Sequence, residues 1–371
     1  MTRSIALAAG GTGGHLFPAV ALAKELQARG HKISVLTDPR GAKFDADVNV
    51  CSVPAARMSG GIAAKAFGAV KLAAGVAVAA WHLRRIKADL IVGFGGYTSA
   101  PPVLAAKLLR IPVVLHEQNA ILGRANARLV RYASLIAGSF PGLERSLSKP
   151  YVLCGNPVRP EATSNRAAPY AASAGDEPFQ LLIFGGSQGA GVFADILPKA
   201  CSQLPSEDRA RLRIVQQARP EDMAATKSAY AELNIQAAVA PFFTDLPDRM
   251  AQSHLVISRS GASTVAELLA LGRPAVMVPY PHAMDDHQTA NARSVSNAGG
   301  GWLVPQTEFS PENLAERLHT AMHDPQSLTL TAKAAWNLGR PDAAARLADV
   351  AEAAITGAGP AHSANLRSVL S

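Results

Sequence analysis

Ten short apolar runs, five in each half of the chain, alternate with longer stretches of helical character, and that alternation admits few folds. Residues 5–9, 33–37, 90–93, 113–116 and 135–137 read as buried strands in the first half. Residues 181–184, 213–216, 255–258, 275–279 and 301–304 do so in the second. Strands that are apolar throughout, with helices such as 18–29, 62–87 and 100–109 between them, imply parallel βαβ units covered on both faces. Each series opens alike, with IALAAGGTGG in the first and LLIFGGSQGAG about 175 residues later. A repeat on that scale belongs to domains. The expected fold is therefore α/β, two Rossmann-like, doubly wound parallel-sheet domains facing a cleft, with ligands at the C-terminal ends of the strands.

The texture of the chain places the boundaries. The first domain is expected at 1–160. PVRPEATSNRAAPYAASAGDEP is rich in Pro, Ala and Ser and has no periodicity, so 161–178 reads as a linker. The second domain is expected at 179–340. A helix at about 341–356 is expected to pack back on the first domain, and 357–371 reads as a mobile tail. Hydrophobic residues at 48% against 17% charged exclude a disordered chain. Cys51, Cys154 and Cys201 are far apart and lack metal spacing, which fits a reducing cytosol without disulfides or zinc.

Charge is distributed unevenly. Residues 1–160 hold 20 Lys/Arg and 7 Asp/Glu, a net +13, whereas 161–371 hold 16 and 21, a net −5. A cationic half points to an anionic partner. Zinc-finger spacing and an aromatic RNA-binding strand are both missing and aromatics are 5%, so no nucleic acid is expected and a membrane surface is favoured. The apolar stretch 72–83 is too short for a bilayer core, which needs roughly 20 residues, and 5–9 runs straight into glycines as a strand does, not a secretory signal. A peripheral protein is expected.

Three paired-glycine turns follow apolar strands: Gly10-Gly11-Thr12-Gly13-Gly14-His15, Gly95-Gly96-Tyr97-Thr98-Ser99 and Gly185-Gly186-Ser187-Gln188-Gly189. Glycine lets a ligand approach the backbone, and the following helix offers unpaired N–H donors, which suits a phosphate or diphosphate. Each turn taken alone could equally be a tight strand-to-helix connection. No turn ends in Gly-Lys-Ser/Thr, and GTGGHL lacks the third glycine of the dinucleotide fingerprint, so a P-loop ATPase and an NAD enzyme are poorly supported. Asp38 could mimic a ribose-binding acid, but TDPRG is also an ordinary turn.

GGTGGH at 10–15, GFGGYTSAPP at 93–102, HEQN at 116–119, GNPVR at 155–159, GGSQGA at 185–190 and SRSGASTVAE at 258–267 stand in an order that resembles the MurG family. The resemblance covers roughly residues 5 to 300 and implies a GT-B architecture. It implies a hexosyltransferase that moves GlcNAc from UDP-GlcNAc to the 4-hydroxyl of lipid I, undecaprenyl-diphospho-MurNAc-pentapeptide. The transfer inverts the anomeric carbon, uses no cofactor or metal, and serves peptidoglycan synthesis at the cytoplasmic face of the inner membrane. By position it implies donor contacts from Thr12, Gly13, Gly14, Asn119, Arg159, Ser187 and Gln288. Phe243 would lie by the uracil, Ala262, Ser263 and Thr264 along the nucleotide, and Glu267 on the ribose. Where some members carry Gln-Gln, this chain has His287-Gln288. An imidazole there can still make one hydrogen bond.

An inverting transfer needs a base for the acceptor hydroxyl. His15, expected neutral beside a helix N-terminus, is one candidate, and its alternative is a ring that only hydrogen-bonds the loop or the acceptor. Glu117 is the second, its alternative a carboxylate that orients a neighbour. Thr264 and Glu267 also have the spacing of a capping box. Asp285-Asp286 more often mark a solvated loop than a metal site. In 62–87, Phe67, Val70, Ala74, Ala77 and Trp81 form a stripe flanked by Lys65, Lys71, Arg84, Arg85 and Lys87. An alanine-rich face would pack on the sheet and leave these side chains for anionic lipid. Two other functions fit parts of this pattern: a nucleotide-sugar 2-epimerase of the same fold, and a non-catalytic membrane recruiter of a partner transferase.

Overall fold

The computed structural model describes residues 1–10, 13–38, 48–55, 61–167, 169–186 and 189–356, and of residues 13, 62–66, 146 and 167 the backbone alone. Thr12, Ser187, the side chain of Lys65 and the expected tail 357–371 lie outside that set. The chain forms two compact units, Met1–Arg159 with Asp342–Ser371, and Pro160–Pro341.

The first unit carries seven parallel strands: β1 (Ser4–Ala8), β2 (Lys32–Thr37), β3 (Asn49–Ser52), β4 (Leu90–Gly93), β5 (Val113–Glu117), β6 (Leu135–Gly138) and β7 (Tyr151–Leu153). Their order is β3-β2-β1-β4-β5-β6-β7. The order reverses between β1 and β4, where Ile5 pairs with Leu90 and Ala8 with Gly93. A crevice opens beyond the strand ends at such a reversal. The turns after β1 and β4 are the first two paired-glycine turns. One face of the sheet packs Ile5, Leu7, Val35 and Val92 against Leu22 and Leu26 of the helix Gly13–Ala28 and against Leu347, Val350 and Ala351 of the helix Ala343–Ile355. Arg29 joins those two helices, with Nη1 2.6 Å from Asp349 and 3.0 Å from Glu352.

The second unit repeats the plan with β8 (Phe179–Phe184), β9 (Leu212–Gln217), β10 (Gln236–Ala240), β11 (Leu255–Ser258), β12 (Ala275–Met277) and β13 (Trp302–Leu303), in the order β10-β9-β8-β11-β12-β13. Its reversal lies between β8 and β11, where Ile183 pairs with Ile257. The third glycine turn follows β8, and the Ser260-Gly261 turn follows β11. Both units therefore place their glycine-bearing turns at the reversal of the sheet.

All ten expected strands are present. β3, β7 and β10 are additional, and each stands at an edge of its sheet. The helix expected from 18 begins at Gly13, with Pro18 inside it. The expected linker also differs. Residues Pro160–Ser164 are helical, and Arg166 lies 3.6 Å from the Trp336 ring centroid and donates to the Ala270 carbonyl at 2.6 Å. Tyr170 donates to the His254 carbonyl at 2.9 Å. A few large side chains tie this stretch to the second unit, and no periodicity is needed for that.

Candidate active site

The turn after β1 has to contain glycine. A Cβ on Gly10 would stand 2.7 Å from the Thr37 hydroxyl. The backbone then enters the helix Gly13–Ala28, whose first amides have no acceptor within the helix. Gly14 is exposed, and His15 is half-buried with Nδ1 3.3 Å from Gln118 Oε1. The turn after β4 needs two left-handed residues, Gly95 at φ 82° and Gly96 at φ 73°. The Ser99 hydroxyl, 2.9 Å from the Ala8 carbonyl, ties this turn to β1. Asp38 is engaged by the Tyr97 hydroxyl at 2.8 Å.

The HEQN residues end β5. Glu117 is buried, and its carboxylate accepts four hydrogen bonds. Oε1 takes Asn119 N at 3.1 Å and Asn119 Nδ2 at 3.2 Å, while Oε2 takes Gly123 N at 3.0 Å and Asn126 Nδ2 at 2.8 Å. Those four bonds match a carboxylate's acceptor capacity. Glu117 thus holds the loop 118–126 in shape and sets the side chain of Asn119, as in the orienting alternative. His116 is fully buried and lies against Phe94 and Gly155. Arg159, at the end of the first unit's long segment, stands 5.6 Å from the Phe17 ring centroid.

In the second unit Gly186 and Gly189 have φ of 83° and 68°, and a Cβ on Gly185 would collide with the Ala190 amide at 2.3 Å. The Gln217 side chain accepts from Gly185 N at 3.0 Å and donates to the Pro241 carbonyl at 3.1 Å, bracing the turn. Arg219 is exposed beside it: a Cβ on Gly191 would lie 3.6 Å from Arg219 Nη1. The helix Gly191–Ser202 starts there, so its positive end and a guanidinium share one place.

The helix Ala262–Leu271 begins at an N-cap, Gly261, that has no side chain to cap it. Thr264 is therefore inside the first turn, and the capping-box spacing of Thr264 and Glu267 does not operate. Ala262 and Glu267 are buried and Thr264 is half-buried, while the buried Ser263 hydroxyl has no partner among the described residues. Ser260 donates from its hydroxyl to the Gln288 carbonyl at 2.9 Å, and Asn291 Nδ2 donates to the Ser260 carbonyl at 3.1 Å. These bonds fix the turn against the helix His287–Asn297. Gln288 Oε1 accepts from Tyr280 N at 2.9 Å, and His287 Nδ1 donates to the Met284 carbonyl at 2.6 Å. Phe243 is half-buried with Arg249 4.5 Å from its ring centroid. Asp285 and Asp286 are exposed, and among the described residues they belong to no metal-ligating cluster.

The helix Ile62–Arg85 presents Phe67, Val70 and Trp81 at 63%, 69% and 55% exposure. Gly68, Gly75, Ala79 and Leu83 face inward, and Gly75 has the Pro54 carbonyl where a Cβ would be. Lys71 stacks on Phe67 and Arg85 on Trp81, each 5.3 Å from the ring centroid, with Arg84 and Lys87 exposed beyond. No helix among the described residues is long and apolar enough to cross a membrane.

Several groups at these turns were not singled out by the sequence. Gln118 stands inside HEQN without a role of its own, and Asn126 falls in none of the motifs. Arg219 is a lone cation in RPED, and Arg259 reads as part of a glycine turn although its buried guanidinium donates to the Val278 and Pro279 carbonyls at 3.1 and 2.9 Å. Only spacing relative to the strand ends could have marked them.

Residues 5–137 match the glycosyltransferase family 28 N-terminal domain and residues 180–347 its C-terminal domain. A UDP-N-acetylglucosamine–N-acetylmuramyl-(pentapeptide) pyrophosphoryl-undecaprenol N-acetylglucosamine transferase of Rhodospirillum centenum is 53% identical over 93% of each chain. Its counterpart in Rhodospirillum rubrum is 50% identical over 94% of this chain and 91% of that one. Among solved structures, Acinetobacter baumannii MurG superposes with a TM-score of 0.79 at 33% identity over 94% of this chain and 99% of that chain. The UDP-GlcNAc 2-epimerase of Neisseria meningitidis reaches 0.66 at 15% identity and shares the fold alone. Two sheets that reverse at glycine turns, with relatives this similar along almost the whole length, establish that the chain belongs to glycosyltransferase family 28, among its MurG members.

Proposed function

We propose that this protein transfers N-acetylglucosamine from UDP-GlcNAc to the undecaprenyl-diphospho-MurNAc-pentapeptide acceptor, lipid I, in peptidoglycan synthesis. The observation that carries the reading is the placement of His15. It sits on the first turn of a helix that starts at the sheet reversal, half-buried and held at Nδ1. In the step we infer, the acceptor 4-hydroxyl attacks the sugar's C1 and gives its proton to His15 Nε2. The bond from C1 to the β-phosphate oxygen breaks, UDP leaves, and the anomeric centre inverts. Charge on the leaving diphosphate is met by the unpaired amides at the starts of the helices Gly191–Ser202 and Ala262–Leu271 and by Arg219. Glu267 and Phe243 take the ribose and the uracil, and Gln288, with His287 Nε2 beside it, takes the sugar. Thr12, Gly13, Gly14, Asn119, Arg159 and Ser187 complete the donor set. The exposed stripe and cations of the helix Ile62–Arg85 support docking on an anionic membrane surface, peripheral and on the cytoplasmic face, where the acceptor's lipid tail stays in the bilayer.

Incubation with UDP-GlcNAc, with and without lipid I, tests this. UDP release that requires acceptor is the expected result. UDP-ManNAc formed without acceptor would instead identify an epimerase, and no turnover in either case would identify a recruiter. His15→Ala is expected to lower kcat by roughly 10²- to 10⁴-fold with little change in donor affinity, and near-normal turnover would remove His15 from the base role.

A further inference from the structure

The buried side chains behind His15 determine which of its nitrogens carries a proton. His116 is fully buried, and burial pushes its imidazole down to about 4, so the ring is neutral. Its Nε2 lies 3.0 Å from the Gly155 carbonyl. A carbonyl can only accept, so the single ring proton is on Nε2 and Nδ1 carries a lone pair. Gln118 is also buried, and one end of its amide lies 2.9 Å from the Phe94 carbonyl and 3.2 Å from that lone pair on His116 Nδ1. These neighbours, and the His116 carbonyl at 3.4 Å, are all acceptors, so this end is the NH₂ group. The other end of the amide is then the oxygen, and it faces His15 Nδ1 at 3.3 Å. An amide oxygen only accepts, so His15 Nδ1 carries a hydrogen, and in the neutral ring Nε2 carries the lone pair. The opposite edge of the ring faces Gly96, where an added Cβ would come within 3.6 Å of Nε2 and Cδ2. Glycine leaves that edge open.

We propose that Gln118 is a positioning residue for the transfer. Through the series Gly155–His116–Gln118–His15 it holds His15 as the Nδ1–H tautomer, with Nε2 poised to take the proton of the acceptor hydroxyl. The proposal rests on the reading of His15 as base. The amide suits the task because it is neutral: it orients the ring and stays bonded to Nδ1–H after Nε2 is protonated, without the pull of a carboxylate that would hold the imidazolium and raise the pH needed for a free base.

The tautomer can be read without turnover. Long-range ¹H–¹⁵N correlation spectra of the full chain labelled at histidine nitrogen, with His15 assigned by its absence in His15→Gln, distinguish the two neutral forms. The wild type is expected to show the Nδ1–H form. Gln118→Ala is expected to move His15 toward a mixture and to lower kcat by roughly tenfold or more with KM for UDP-GlcNAc nearly unchanged, as loss of a tautomer-setting partner does. An unchanged resonance of His31, which is held by Glu352 at 2.8 Å and does not touch Gln118, reports an intact fold in the variant. An Nε2–H form in the wild type would overturn the proposal, even if Gln118→Ala failed to fold. So would a changed tautomer at unchanged kcat. Normal turnover of His15→Ala would sink the base reading itself, a result separable from the tautomer of the wild type.

Discussion

Glu267 is the residue at which two functions of one side chain come apart. It sits in the helix Ala262–Leu271, buried at 5% exposure, and with Gly261 as the N-cap it forms no capping box with Thr264. Glu267→Ala is therefore expected to raise KM for UDP-GlcNAc at least tenfold while the thermal midpoint moves by only a few degrees. Donor titrations and calorimetry on the same preparation decide it, and a collapsed midpoint with an unchanged KM would return Glu267 to a structural role. At this scale the sequence was legible where a residue type is irreplaceable. Gly10, Gly95, Gly96 and Gly186 are forced by a close approach or a positive φ, and each could be named in advance. Glu117 could be named but not assigned, because only coordinates show four donors on its carboxylate. Gln118 stood inside HEQN without a role and Arg219 carried no local signal, since the link of the one to His15 spans 103 residues and the other reaches the neighbouring turn.

Among the elements, the helix Ile62–Arg85 shows how far periodicity alone reaches. The 3-4-3-4 spacing marked one stripe of Phe67, Val70, Ala74, Ala77 and Trp81 but not which way it turns; the stripe is exposed, and the buried face is the one with Gly68, Gly75 and Ala79. Anionic vesicles are expected to co-sediment the protein more weakly as salt rises, but not to lose it, since about 1 kcal/mol per basic residue is screened and apolar burial is not. Changing Arg84, Arg85 and Lys87 to Ser should remove most of the salt-sensitive part, and changing Phe67 and Trp81 to Ser much of the rest, with UDP binding kept. Equal binding to neutral and anionic vesicles would place docking elsewhere. A second pair of elements was not legible at all. Asp208, in the helix Ser206–Arg211, is buried and accepts from His319 at 2.6 Å and His323 at 2.8 Å, both on the helix Pro311–His323. Burial alone would raise its carboxyl, but the two histidine hydrogen bonds outweigh that and hold it below the usual carboxylate range. A depressed folded value stabilises above the unfolded value and is lost as pH falls through the folded one. Asp208→Asn is thus expected to cost about 1–3 kcal/mol at pH 7 and less at a pH below the folded value. Urea melts at both pH values measure this, and an equal cost at both would show that charge plays no part.

For the molecule as a whole, alternation of apolar runs sufficed for two parallel sheets, because strands buried on both faces leave an unbroken signal. Boundaries were harder. The stretch near 161–178 has a loop's composition, yet Arg166 and Tyr170 fasten it within the second unit by side-chain contacts that no pattern reports. The first unit is also not one continuous segment. It takes Met1–Arg159 and then Asp342–Ser371, with Pro160–Pro341 between them. The helix Ala343–Ile355 supplies Leu347, Ala348, Val350 and Ala351 to the core that holds Leu22 and Leu26. On the ribosome the chain emerges from its amino end, so the first half of the protein to be made is the last to be finished. The second unit has all its residues before that core can close. A nascent first unit therefore waits with an apolar gap for most of translation, and the arrival of the helix Ala343–Ile355, not synthesis of residue 159, is the event that seals it.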